Sequence, residues 1–250
     1  MKTKAEILNM IDIINVKAKK VNDMRPLNKI ALAKMRDELN IKSISNSLNI
    51  EGIRVTARET RLLLSGSTIK NHDFKDRMAT INLGFTFNNL EGDLNKKVDI
   101  EFLNNLHYRI MSGLLPINDC GKLRDSEVMI TESAHIPPRH DKMRDLLMKA
   151  FEDYYSNSFQ EPVLLRIFRL KHTITNIHPY FDGNGRVSRL VMQYLLLQNR
   201  YIPLIIHDKE DYYESLEYAD LYLEWRPFFE VMLKDLDTTY DEYINRIINL

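Results

Sequence analysis

Two apolar stretches of helical spacing meet at a corner that cannot itself be helical, and this corner constrains the chain more than any other segment. The first stretch runs from Val163 to Ile177 and ends in His178-Pro179; the second, Arg186 to Asn199, follows Asp182-Gly183-Asn184-Gly185. Pro179 has no amide hydrogen and disfavours the α conformation in the residue before it, so the first helix stops around His178. Gly183 and Gly185 permit positive φ and let the backbone pass close to other groups. The second helix is therefore expected to start near Arg186, out of a tight turn.

The rest of the chain repeats the helical period. Ile7, Met10, Ile11 and Ile14 fall on one face, as do Ile30, Ala33 and Leu39, with Pro26 between the two segments. Arg58 to Leu64 reads as a helix ended near Ser65-Gly66. Asp99 is suited to cap Ile100 to Ser112, whose stripe is Phe102, Leu103, Leu106 and Ile110. Further helices are expected at Asp141–Tyr154, Tyr212–Glu224 and Pro227–Asp237. Residues 114 to 138 differ: Pro116, Asn118, Asp119 and Gly121 form a loop, Val128-Met129-Ile130-Thr131 has strand-like composition, and Pro137-Pro138 closes the region. The expected fold is mostly α, a helical bundle with a small β-hairpin.

Composition excludes some functions. Basic and acidic residues number 35 each, so broad electrostatic capture of nucleic acid or an anionic membrane is not expected. A single cysteine, Cys120, cannot form an intrachain disulfide and points to a reducing, cytoplasmic setting. No signal peptide is evident, and the longest apolar run, Leu190–Leu197, is short and broken by Gln193. His72, His107, His140, His172 and His207 lack metal-ligand spacing.

The corner also carries chemistry. Free N–H groups at a glycine-rich helix start form an anion nest, aided by the helix dipole. Arg186 and Arg189 lie near one face of the first turn, where they can grip phosphate oxygens. Asp182 can hold a magnesium ion that shares those oxygens. His178 stands at the other lip of the turn, placed to take a proton from an incoming hydroxyl. Base, metal ligand, nest and cationic clamp are parts for phosphoryl or nucleotidyl transfer. The string is not a Walker A loop, since Gly-Lys-Ser/Thr is missing, and it lacks the third glycine of a dinucleotide fingerprint.

The string His178 to Arg189 resembles the Fic (Fido) signature His-Pro-Phe-x-Asp/Glu-Gly-Asn-Gly-Arg-x-x-Arg, with Tyr180 in place of Phe. The resemblance extends over roughly residues 40 to 235. It implies AMP transfer from Mg-ATP to a Tyr, Ser or Thr hydroxyl of a target protein, which can be the chain itself. It makes His178 the base, Asp182 the metal ligand, and Gly183, Asn184 and Gly185 the anion hole. Arg186 and Arg189 then hold the β- and γ-phosphates. Gly121-x-x-Arg124 leading to Val128, Met129, Ile130 and Thr131 resembles the family's flap, which orders the target segment, and Tyr212-Tyr213 resembles the adenine-pocket region. An Asn is common seven residues after the second Tyr; Asp220 stands there.

Ser47-x-x-x-Glu51-Gly52 resembles the inhibitory motif of class II relatives, in which the glutamate pairs with the last arginine, here Arg189, and takes the γ-phosphate's place. The resemblance divides the chain into an N-terminal helical region, 1–92, with the inhibitory helix at about 41–52, and a Fic core, 93–250. The core would hold the flap at about 121–131, the catalytic loop at 178–189 and the C-terminal helices. Only a short helical stretch is read after residue 235, so no DNA-binding function is expected, and family resemblance suggests a homodimer. Two other readings remain open: removal of AMP by the same site, with Glu51 positioning water, and a non-catalytic ATP-binding module.

Overall fold

The computed structural model describes residues 1–23, 29–70, 72–130 and 135–248. Among the described residues ten α-helices carry the fold: α1 Lys4–Asp23, α2 Lys29–Ile50, α3 Ala57–Leu64, α4 Phe74–Asn88, α5 Ile100–Met111, α6 Met143–Ser156, α7 Val163–Ile177, α8 Asn184–Gln198, α9 Lys209–Tyr222 and α10 Arg226–Ile248. Short 3₁₀ turns precede α5 and α6. Pro26 lies outside the described residues.

Local chemistry sets the boundaries. Asp99 caps α5 as expected, its carboxylate accepting from the Phe102 amide at 2.8 Å. Thr56 and Glu59 form a reciprocal capping box that starts α3 one residue before the expected Arg58. Asp73 caps α4, a helix that sequence periodicity did not reveal. The last helix continues to Ile248, well beyond the expected Asp237.

At the centre, α8 is buried nearly all round, from Asn184 to Leu196, and packs against α7. The amphipathic face of α1, carrying Ile7, Ile11, Ile14, Ala18 and Val21, closes on α10. One hydrophobic core joins side chains from before residue 92 to those after it. Helix α2 lies between α4 and α8, which brings its C-terminus to the start of α8.

No β-strand forms among the described residues. Residues 127–130 run without regular structure, Thr131 lies outside the described residues, and the expected hairpin is not seen among the described ones. A single extended segment without a paired neighbour leaves its N–H and C=O groups to solvent, so composition alone does not make it a strand. Nor, among the described residues, is any helix long and apolar enough to cross a membrane.

Candidate active site

The corner between α7 and α8 is pinned from both sides. His178 ends α7 in a left-handed conformation, φ 52°, and Gly183 adopts φ 79° immediately before α8. A side chain at Gly183 would run into Met111, because its Cβ would stand 2.8 Å from Sδ. The Asn184 amide clasps Tyr180 twice: Nδ2 donates to the Tyr180 carbonyl at 2.8 Å, and Oδ1 accepts from its N–H at 2.9 Å. Because Asn184 is already helical, α8 begins two residues earlier than Arg186. The first-turn amides of Asn184, Gly185 and Arg186 then have no intrahelical acceptors.

Residues outside the motif complete the frame. The amide of Gly121 donates to His107 Nδ1 at 2.8 Å, so His107 donates through Nε2 to the Asp182 carbonyl at 3.0 Å. Burial holds that imidazole neutral by lowering its pKa to about 4. Its ring stacks on Tyr180 with centroids 3.7 Å apart. Arg124 is buried and staples the chain after Gly121 to the corner: Nε donates to the His178 carbonyl and the main-chain N–H to the Pro179 carbonyl, both at 2.9 Å. His107 had no sequence signal beyond its place on the buried stripe of α5, and its function here is to hold the corner.

The hydroxyl that Tyr180 adds donates to Asn104 Oδ1 at 2.8 Å, which explains how a buried Tyr replaces Phe. Tyr180→Phe is expected to cost about 1 kcal/mol and to lower the melting temperature by about 2–4 °C, as scanning calorimetry would show.

The ionisable groups divide into three sets. His178 is largely buried, and desolvation lowers its pKa to about 4, with Arg124 and His135 acting in the same direction. It is therefore a neutral imidazole at pH 7. Asp182 is 58% exposed, and its Oδ1 accepts from the Gly183 amide at 2.5 Å and from Arg186 at 3.1 Å. Oδ2 takes no hydrogen bond among the described residues, and no cluster of three or more His, Cys, Asp or Glu forms among them. One exposed carboxylate edge beside an anion nest fits Mg²⁺, which takes one or two carboxylates together with phosphate and water oxygens.

The third set is formed around Arg189, which is 5% exposed at its side chain. Its Nη2 donates to Glu51 Oε1 at 2.6 Å and to the Ser47 carbonyl at 3.1 Å, while Nε donates to the Ser47 hydroxyl at 2.9 Å. Burial alone would raise the pKa of Glu51, but Arg189, Arg186 and Lys171 outweigh it and hold the carboxyl below its ordinary value. Gly185 is the surface on which Glu51 rests: a Cβ there would stand 2.5 Å from Oε1. Gly52 ends this segment with φ 85°.

The structure thus brings together His178, Asp182, Gly183, Asn184, Gly185, Arg186, Arg189, Ser47 and Glu51. Tyr212 is buried beside Arg189, and the Tyr213 hydroxyl donates to the Ile50 carbonyl at 3.1 Å, tying α9 to the end of α2. Asp220 accepts from Asn176 at 2.6 Å and pairs with His172 at 3.2 Å. Val128, Met129 and Ile130 make no hydrogen bond to the 178–189 segment among the described residues, and Met129 is 93% exposed. Thr131 lies outside the described residues.

Residues 97–196 match the Fic/DOC family. The chain is 30% identical over 230 residues to "Protein adenylyltransferase Fic" of Drosophila melanogaster, covering 86% of this chain and 44% of that protein. It is 27% identical over 250 residues to the protein of the same name from Nematostella vectensis, covering 94% and 56% respectively. The chain spans about half the length of the curated relatives it matches. Among solved structures, Fic-1 of C. elegans superposes with a TM-score of 0.87 at 20% identity, over 98% of this chain and 74% of that one. A Fic domain containing signaling protein from Bacteroides thetaiotaomicron superposes with a TM-score of 0.83 at 20% identity, over 94% and 96%. At these identities the superpositions establish the fold.

Proposed function

The chain belongs to the Fic/DOC family, and from that membership we propose that it transfers AMP from ATP to a hydroxyl of a target protein and is held back by its own Glu51. The observation that carries this reading is the joint placement of a neutral histidine, a helix-start anion nest and a buried arginine already occupied by a carboxylate.

In this reading His178 takes the proton from the target's Tyr, Ser or Thr hydroxyl as its oxygen attacks the α-phosphorus. Gly183, Asn184 and Gly185 form the anion hole, in which the free amides of Asn184 and Gly185 receive the phosphate oxygens while the Gly183 amide is held by Asp182. Arg186 and Arg189 hold the β- and γ-phosphates, whose pyrophosphate leaves. Asp182 holds Mg²⁺, which when bound neutralises phosphate charge and raises the electrophilicity of phosphorus. Val128, Met129, Ile130 and Thr131 would pair with the target segment as a flap, through main-chain hydrogen bonds. Tyr212 and Tyr213 border the nucleotide. The segment before residue 93 supplies the inhibitory Ser47, Glu51 and Gly52, and the segment after it supplies the chemistry.

The inhibition follows from occupancy. Glu51 and a γ-phosphate both need the Arg189 guanidinium, so Glu51 must leave before ATP can bind with all three phosphates engaged. The reading is tested by incubating the Glu51→Gly protein with Mg²⁺ and ATP labelled at either the α- or the γ-phosphate. Protein-bound α-label with no γ-label is expected. Retained γ-label would replace AMP transfer by phosphate transfer, and no label from either, on protein that binds ATP, would overturn the reading.

A further inference from the structure

Lys171 has entered the site so far only as one of the cations that hold the Glu51 carboxyl below its ordinary value. It lies in the middle of α7, 1% exposed, and its ammonium has no hydrogen-bond partner among the described residues. It stands 4.6 Å from the centroid of the Tyr212 ring and 5.7 Å from that of Phe228. Burying an ammonium without hydrogen bonds is costly, and a Met would fill similar volume without that cost. The aromatic faces offset only part of it.

The charges around Lys171 suggest what it does. Glu51 acts on it from the end of α2, Arg189 from α8, and Asp220 from α9, where Tyr212 also lies; the Phe228 ring is on α10. Burial and the neighbouring Arg189 lower the pKa of Lys171, whereas Glu51 and Asp220 act to raise it and favour the ammonium. Lys171 in turn is one of three cations, with Arg189 and Arg186, that keep Glu51 ionised. The ammonium and the carboxylate therefore stabilise each other through space across Arg189.

We infer that Lys171 is the third cation of the anion subsite on Arg189, holding from beneath whichever anion sits there. In the closed protein that anion is the Glu51 carboxylate. On the AMP-transfer reading, on which this inference rests, it is the terminal phosphate once Glu51 has left. Lys171 is a positioning residue: fully enclosed, it acts on the phosphate through space and does not touch it. Its effect is therefore confined to ligands that place charge on Arg189, and a nucleotide without β- and γ-phosphates does not feel it.

The test compares Glu51→Gly with Glu51→Gly/Lys171→Met by titration calorimetry, using MgATP and AMP as ligands. ATP affinity is expected to fall about tenfold in the double variant, with AMP affinity unchanged. In the labelling assay KM for ATP should rise similarly while kcat changes little. The melting temperature should not fall, since the substitution removes a buried ammonium. Equal losses for ATP and AMP, or no loss of either, would overturn the inference. Lys171→Leu makes the same comparison if the Met variant does not fold, and a lowered melting temperature in both would mark Lys171 as structural and overturn it too. Failure of Glu51→Gly itself to bind ATP would instead remove the AMP-transfer reading.

Discussion

On the AMP-transfer reading, Glu51→Gly is expected to raise incorporation of AMP by about 10- to 100-fold over the unaltered chain. The figure follows from the contact that is lost. The Arg189–Glu51 bond at 2.6 Å is a charge-assisted hydrogen bond between largely buried groups, of a kind that contributes about 1.5–3 kcal/mol. Releasing that hold multiplies the open population by the corresponding factor. The same substitution leaves Arg189 buried without its carboxylate, so the variant should melt lower than the parent in nucleotide-free buffer. MgATP should then raise its melting temperature by more than it raises the parent's, because only the variant offers Arg189 to the γ-phosphate. A thermal-shift series with and without MgATP, run beside the α-label assay, reads both effects. A variant that melts lower but gains nothing from MgATP would show that Glu51 is structural and not a competitor of the phosphate.

The placement of these residues was legible in the sequence to different depths. Pro179, Gly183 and Gly185 act on the backbone directly, so the α7–α8 corner and its residues could be read without knowing what lies around it. Asp99 and the stripe of α5 were readable for the same reason. Helix α4 was not, because its pattern is set by tertiary contact: Gly84, a poor helix former, sits where the Leu64 side chain packs against it, a Cβ there standing 2.4 Å from a Leu64 methyl. The start of α8 was misplaced because Asn184 caps the corner through its side chain while already inside the helix. His107 and Lys171 carry no local pattern, since their partners lie 75 and 41 residues away at Asp182 and Tyr212 and meet them only after folding. The hairpin was read from β-branched composition, and composition cannot supply the pairing partner that a strand needs.

In the Glu51→Gly background, His178→Ala is expected to reduce AMP incorporation by about 10²–10⁴-fold, the range over which a positioned general base acts. Nucleotide affinity should stay within about twofold, because the phosphate cradle is built from Gly183 to Arg189 and does not include the imidazole. The pH profile gives an independent check. Burial, with Arg124 and His135, lowers the pKa of His178 to about 4, so the base form persists through neutrality and is lost only as pH falls through that value. The rate of the Glu51→Gly protein should therefore show no inflection from His178 between pH 6 and 8, and acid should remove activity only near pH 4. An inflection near 6.5 that vanishes with His178→Ala would mean that the imidazole is solvated during turnover and its environment opens when Glu51 leaves. Ala is also strained in the left-handed conformation that His178 adopts, φ 52°, by about 1–2 kcal/mol. Asn tolerates that conformation and offers no comparable base, so His178→Asn should match His178→Ala in rate while melting closer to the parent. A His178→Asn protein that retained more than a tenth of the activity would show that the proton leaves by another route.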